Sequence, residues 1–110
     1  MALETGTKLL VCHRRLFLED HARWFAGVVD QCSEGLAWVS GFTWSRDPTR
    51  GIERKADRRT KLIALTSGNL IVYVLPPEVD VEALEIRQPH GHAIVLTDGG
   101  KFRMDLSERI

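Results

Sequence analysis

Three groups of residues in this 110-residue sequence carry side chains able to do chemistry. The first is a basic run: Arg46, Arg50, Arg54, Lys55, Arg58, Arg59 and Lys61, seven cations against the three acids Asp47, Glu53 and Asp57. Cations at that density neutralise phosphates, so Arg50, Arg54, Lys55, Arg58 and Arg59 are candidates for sequence-independent binding of nucleic acid. The same run suits a solvated loop, and it lacks the interleaved aromatics on which single-strand binders stack bases. The second group is His90 and His92, which on a strand would point two imidazoles to one side, as a metal site needs. His90 falls in a Pro-His-Gly turn, however, and Cys12, His13, His21 and Cys32 are remote helpers. With no third ligand at zinc spacing and no Cys-x-x-Cys, no metal and no other cofactor is expected. The third is Ser67-Gly68-Asn69, a polar turn that leads into the apolar run Leu70 to Leu75 and ends at Pro76-Pro77.

Enzymatic signatures are missing from the sequence. It holds no Gly-x-Ser-x-Gly elbow, no phosphate-cradling glycine loop and no dinucleotide fingerprint. The carboxylate pairs Glu19-Asp20 and Asp80 with Glu82 stand in polar, turn-like contexts with no apolar wall to raise a pKa. The reading is therefore a non-enzymatic protein.

The elements that would position these groups read as strands. At 44% apolar and 27% charged residues, the composition is that of one globular domain spanning 1–110. No apolar run approaches a membrane span, the N-terminus lacks a basic leader, and two cysteines make no disulfide framework, so a cytoplasmic protein is expected. Net charge is zero, but the basic segment is offset by seven acids against four bases after Pro76, so local fields govern any partner. Residues 8–18 read as a first strand. Residues 22–32 and 36–46 read as a hairpin about a three-residue turn, Ser33-Glu34-Gly35. That turn pairs Cys32 with Leu36, Val29 with Val39, Gly27 with Gly41 and Trp24 with Trp44. Facing glycines suit a sharp bend or a close backbone approach. Trp38 falls on the face of Trp24, Phe42 and Trp44, which suits core or interface packing better than ligand stacking.

Residues 47–61 read as a polar loop. Strands follow at 61–66 and 70–75, then an acidic link over 78–85 with one helical turn. Three short strands follow near 84–88, 92–97 and 101–106, with turns at Pro89-His90-Gly91 and Asp98-Gly99-Gly100. In the last, Phe102, Met104 and Leu106 point in while Lys101, Arg103 and Asp105 point out. Eight short strands and little helix make an all-β fold, a small barrel or curled sandwich.

Two stretches in this order, FAGVVDQCSEGLAWVSG and SGNLIVYVLPPEV, resemble the two halves of the Sm/LSm-like small β-barrel. The resemblance covers residues 23–79 and implies a strongly bent barrel that assembles rings by pairing edge strands between subunits. The C-terminal strands over 84–106 would be an extension of that barrel, and a strand at 8–18 stands where the family commonly has a helix. RNA-binding members hold bases with residues of two turns. Carried over by position, Gly68 and Asn69 match, but the family's arginine is Ser67 here. Its Asp and Asn fall at Ser33 and Ala37, and its stacking aromatic falls near Gly35. The resemblance thus implies the barrel more than it implies RNA binding.

The expected function is an oligomeric scaffold or binding module. Leu70, Ile71, Val72, Tyr73, Val74 and Leu75 would form the edge that joins subunits into a ring or dimer. The alternatives are single-stranded nucleic acid binding through the basic loop with Gly68 and Asn69, and a metal-dependent protein built on His90 and His92.

Overall fold

The protein is all-β, as expected. The structure, a computed structural model, describes residues 3–13, 22–47, 49–89, 91 and 93–106. The strands are β1 (Lys8–His13), β2 (Arg23–Ser33), β3 (Leu36–Asp47), β4 (Gly51–Arg54), β5 (Arg59–Ala64), β6 (Leu70–Leu75), β7 (Glu85–Arg87), β8 (Val95–Thr97) and β9 (Arg103–Asp105). The first six form one antiparallel sheet in the order β4-β3-β2-β1-β6, with β5 beside β4 along the same edge of β3. The last three form a small antiparallel sheet. The second half of the first expected strand, 14–18, lies outside the described residues.

The β2–β3 hairpin departs from expectation at its tip and agrees with it further down. Its turn has two residues, Glu34 and Gly35, both with positive φ (52° and 78°), as a type I′ turn requires. Ser33 therefore faces Leu36 and Cys32 faces Ala37, one step out of the expected register. A bulge at Asp30 then inserts one unpaired residue. Beyond it, Val29 faces Val39, Gly27 faces Gly41 and Trp24 faces Trp44, as the sequence predicts. The shorter turn and the bulge cancel.

Both faces of the large sheet are buried. On one, Leu10, Trp24, Ala26, Phe42, Trp44 and Leu75 pack under Val79, Val81, Leu84, Ile86, Leu96 and Leu106 of the C-terminal layer. On the other, Leu9, Val11, Phe25, Val29, Ala37, Val39 and Ile63 form a second cluster. Every member of that cluster comes from the same sheet, so the sheet buries this face by curling over on itself. The curl is sharpest where the glycines meet. A Cβ on Gly41 would lie 1.9 Å from the Ala26 carbonyl oxygen, and one on Gly27 would lie 2.3 Å from that of Ser40.

The C-terminal layer is held by the chain that leads into it. Lys8 Nζ donates to the carbonyl of Pro77 (2.6 Å) and to that of Val79, pinning the double-proline segment across the start of β1. Asp80 caps a single 3-10 turn over Val81–Ala83 by accepting from the Glu82 amide. In the last strand Phe102, Met104 and Leu106 turn inward and Lys101, Arg103 and Asp105 outward, as the alternation predicts.

Candidate functional site

The segment read as a basic loop, 47–61, is more ordered than that reading. It holds β4 and the start of β5, both paired to β3. Polar strands of this kind escape a periodicity search because they sit at an edge and bury few side chains. Arg54 faces Trp44 by register, and its guanidinium stacks 3.8 Å from the centroid of the Phe42 ring. From there it donates to the carbonyls of Glu82 (3.0 Å) and Leu84 (3.4 Å). Arg58 forms an ion pair with Glu82 and lies 5.8 Å from the same ring. A stacked arginine is worth about 0.5–1 kcal/mol at an exposed site, and an exposed ion pair adds about 0–1. Two of the five arginines and lysines proposed for phosphate contact are thus employed in fastening the acidic link to the sheet.

The remaining candidates do not converge. Arg50 lies in the turn between β3 and β4, beyond Asp47, and Lys55 just after β4; both are exposed. Gly68 and Asn69 lie at the opposite end of β3, where Ala64 of β5 pairs with Leu36. Eleven residue steps of a strand, at about 3.3 Å each, separate those ends along the chain. Arg59 stands between them, facing Gly41.

The two turns that the family resemblance singles out do come together. The Leu65 amide donates to the Gly35 carbonyl (2.8 Å), so the β2–β3 and β5–β6 turns lie side by side. Within the second turn the Ser67 hydroxyl accepts from the Asn69 amide at 3.2 Å. Ser67 is therefore a local turn former. A Cβ added to Gly68 would meet open space, and its φ is not positive.

The edge strands are where the structure leaves apolar surface bare. β6 pairs with β1 through all six residues, Leu70 with His13 through Leu75 with Lys8. Among the described residues no strand pairs with its other edge, nor with the outer edge of β5. Val74 is 58% exposed on β6 and Leu62 is 52% exposed on β5. Leu62 faces Trp38, and Leu36 flanks that pair. Trp38 does share a face with Phe42 and Trp44, but the C-terminal layer covers only their end, leaving Trp38 itself 39% exposed. Leu70, Ile71, Val72 and Tyr73 are half-buried and Leu75 is buried.

Ionisable groups are perturbed at two places. The Asp98 carboxyl accepts from the Gly100 amide (2.9 Å), which holds it below the usual carboxylate range and fixes the β8–β9 turn. Burial, then the charges of Arg23 and Lys61, holds the His13 imidazole below its ordinary value. A depressed imidazole binds its proton less well folded than unfolded. Its stabilising contribution is therefore full above about pH 6.5 and is lost as pH falls through the folded value. Urea unfolding is expected to show stability declining from pH 7.5 to 5.5, with a shallower decline in His13→Asn.

His90 and His92 lie outside the described residues. Among the described residues no three His, Cys, Asp or Glu side chains gather as a metal site needs. Cys12 and Cys32 form no disulfide and pack against opposite faces of the large sheet. Among the described residues no helix is long and apolar enough to cross a membrane. The chain matches no family model, no curated protein and no solved structure.

Proposed function

We propose that this chain is a non-enzymatic, Sm-like scaffold that assembles by pairing the free edge of β6 with the free edge of β5 on a second copy. The observation that carries this reading is the coincidence of unpaired backbone and bare aliphatic side chains on those two strands. An open edge with exposed apolar residues is a template for another strand unless charges, proline or a covering element blunt it. On β6 the prolines come only after the strand has ended, at Pro76 and Pro77. The strand order, with β6 returning beside β1, and the curl at Gly27 and Gly41 support the barrel that the sequence resemblance implies. Pairing two different edges is a heterologous contact, which yields a ring when its rotation closes.

Nucleic acid binding through Arg50, Arg54, Lys55, Arg58, Arg59, Gly68 and Asn69 is the weaker reading, because Arg54 and Arg58 are engaged internally and Asn69 is remote from Arg50. Amide hydrogen exchange tests the assembly. Alternate β6 amides, those not bonded to β1, are expected to be protected at high protein concentration and to exchange freely on dilution. Free exchange at every concentration would count against it.

A further inference from the structure

A basic group that shares only Arg59 and Lys61 with the 47–61 run occupies one end of the inner face of the curled sheet. It uses a different face, it draws on β1 and β2, and it is not tied to the acidic link. Strand register builds it. Phe25 faces both Val11 and Thr43, which places all three on the inner face. Arg23 precedes Phe25 by two residues and His13 follows Val11 by two, so both fall on that face. Lys61 faces Val39 and Arg59 faces Gly41, which adds two more cations to it from β5. The bend at Gly27 and Gly41 folds β5 back, and Lys61 Nζ lies 4.9 Å from the centroid of the Phe25 ring.

Among the described residues these four cations have little counter-charge. Among the described residues the only carboxylate within ion-pair range of any of them is Asp57, 3.9 Å from Arg59. Register also places Glu53, which faces Ser45, and Asp47, two residues beyond Ser45, on this face, and among the described residues neither is ion-paired with any of the four cations. Among the described residues the buried Thr43 hydroxyl finds no hydrogen-bond partner there. The mutual repulsion registers on the groups themselves. Burial, then Arg23 and Arg59, lowers Lys61, just as Arg23 and Lys61 lower His13. Cations gathered at the edge of an apolar core without counter-charge work against folding, and an anion that joined them would relieve the cost. Guanidinium pairs with ammonium and imidazole match the several oxygens of a phosphate group. Arg23 is exposed and the Arg59 side chain is 63% exposed, so the group is open to solvent.

We propose that His13, Arg23, Arg59 and Lys61 form a binding site for a small phosphate-type oxyanion, free phosphate or pyrophosphate or the phosphate of a small ester. The site does not rest on the assembly reading, since all four cations belong to one chain.

Inorganic pyrophosphate is the probe, titrated into the full chain with sodium chloride adjusted to constant ionic strength. The melting temperature is expected to rise by about 5 °C at tenfold excess over the dissociation constant. The His13 imidazole resonances are expected to titrate at a higher pH when pyrophosphate is present, because an anion reverses the effect of Arg23 and Lys61. Arg23→Gln and Lys61→Gln are expected to weaken binding at least tenfold, while Arg50→Gln leaves it unchanged. Arg23 is exposed, so its variant reads the site even if Lys61→Gln fails to fold. An equal melting shift from chloride alone, an unmoved His13 titration, or undiminished binding in Arg23→Gln would each overturn the site. So would binding of oligouridylate without any binding of pyrophosphate.

Discussion

Gly41→Ala is expected to abolish the cooperative unfolding transition at room temperature, while Gly68→Ala leaves it in place. The two glycines look alike in sequence, each beside a polar residue at a motif-like position. Their surroundings differ. A methyl group on Gly41 would meet backbone on the neighbouring strand, 1.9 Å from the Ala26 oxygen and 2.5 Å from the Gly27 Cα. Backbone cannot step aside as a flexible side chain would, so either β2 and β3 separate or the curl opens. Opening the curl uncovers the cluster of Leu9, Val11, Phe25, Val29, Ala37, Val39 and Ile63, which no other layer buries. Overpacking of this kind costs about 1–3 kcal/mol where side chains absorb it and more where backbone must. Against a total stability of about 5–15 kcal/mol the side-chain cost alone would leave the protein folded, and it is the further cost of separating backbone that brings the loss up to the whole stability. A Cβ added at Gly68 would meet nothing within 4 Å and φ is not positive, so alanine fits. Its effect is expected to stay within about 0.5 kcal/mol of zero or to be slightly stabilising. Circular dichroism in a urea titration measures both. Equal stability of the two variants would show that the facing glycines do not set the curl.

The second large effect concerns assembly. Val74→Lys and Leu62→Lys are each expected to leave the monomer folded and to raise the dissociation constant of the assembly about 100-fold, equivalent to ~3 kcal/mol. Both side chains are more than half exposed, so neither supports the core of its own chain. Each lies on a strand whose outer edge is unpaired. An ammonium group carried into a strand–strand junction would have to lose water without gaining a partner, and edge lysines block such pairing for this reason. Because the proposed contact joins β6 of one copy to β5 of the next, the two single variants should disrupt it alike. Mixing them should restore only one junction per pair, giving dimers rather than rings. Sedimentation velocity reads these masses. Variants that assemble like the parent would place the contact elsewhere on the molecule.

Much of the fold was legible because two local signals agree over long stretches. A bounded apolar run identified β6, strand periodicity identified β9 and most of β2 and β3, and the turn at Ser33-Glu34-Gly35 gave the pairing of the facing glycines and tryptophans that the structure contains. The turn type at Glu34-Gly35 was not legible. Glutamate seldom takes positive φ, so the sequence favours the three-residue turn, and only the compensating bulge at Asp30 preserved the pairing. β4 was missed for a different reason: Gly-Ile-Glu-Arg has one apolar residue, and its place in the sheet comes from β3, which is long enough to hold two partners on one edge. The functional candidates fared according to how non-local they were. The apolar edge at Leu70–Leu75 is a property of one segment and could be read directly. The engagement of Arg54 and Arg58 by Phe42 and Glu82 depends on a fold-back of the acidic link across the sheet, which no spacing encodes. The inner-face group of His13, Arg23, Arg59 and Lys61 is drawn from three strands and is visible only once β5 is paired.

The central claim, that open β5 and β6 edges join copies of this chain, is tested most directly by its mass in solution. Multi-angle light scattering on the full chain, across a hundredfold range of concentration, is expected to give a discrete multiple of 12.4 kDa that persists until dilution dissociates it. A single mass of 12.4 kDa at every concentration would contradict it.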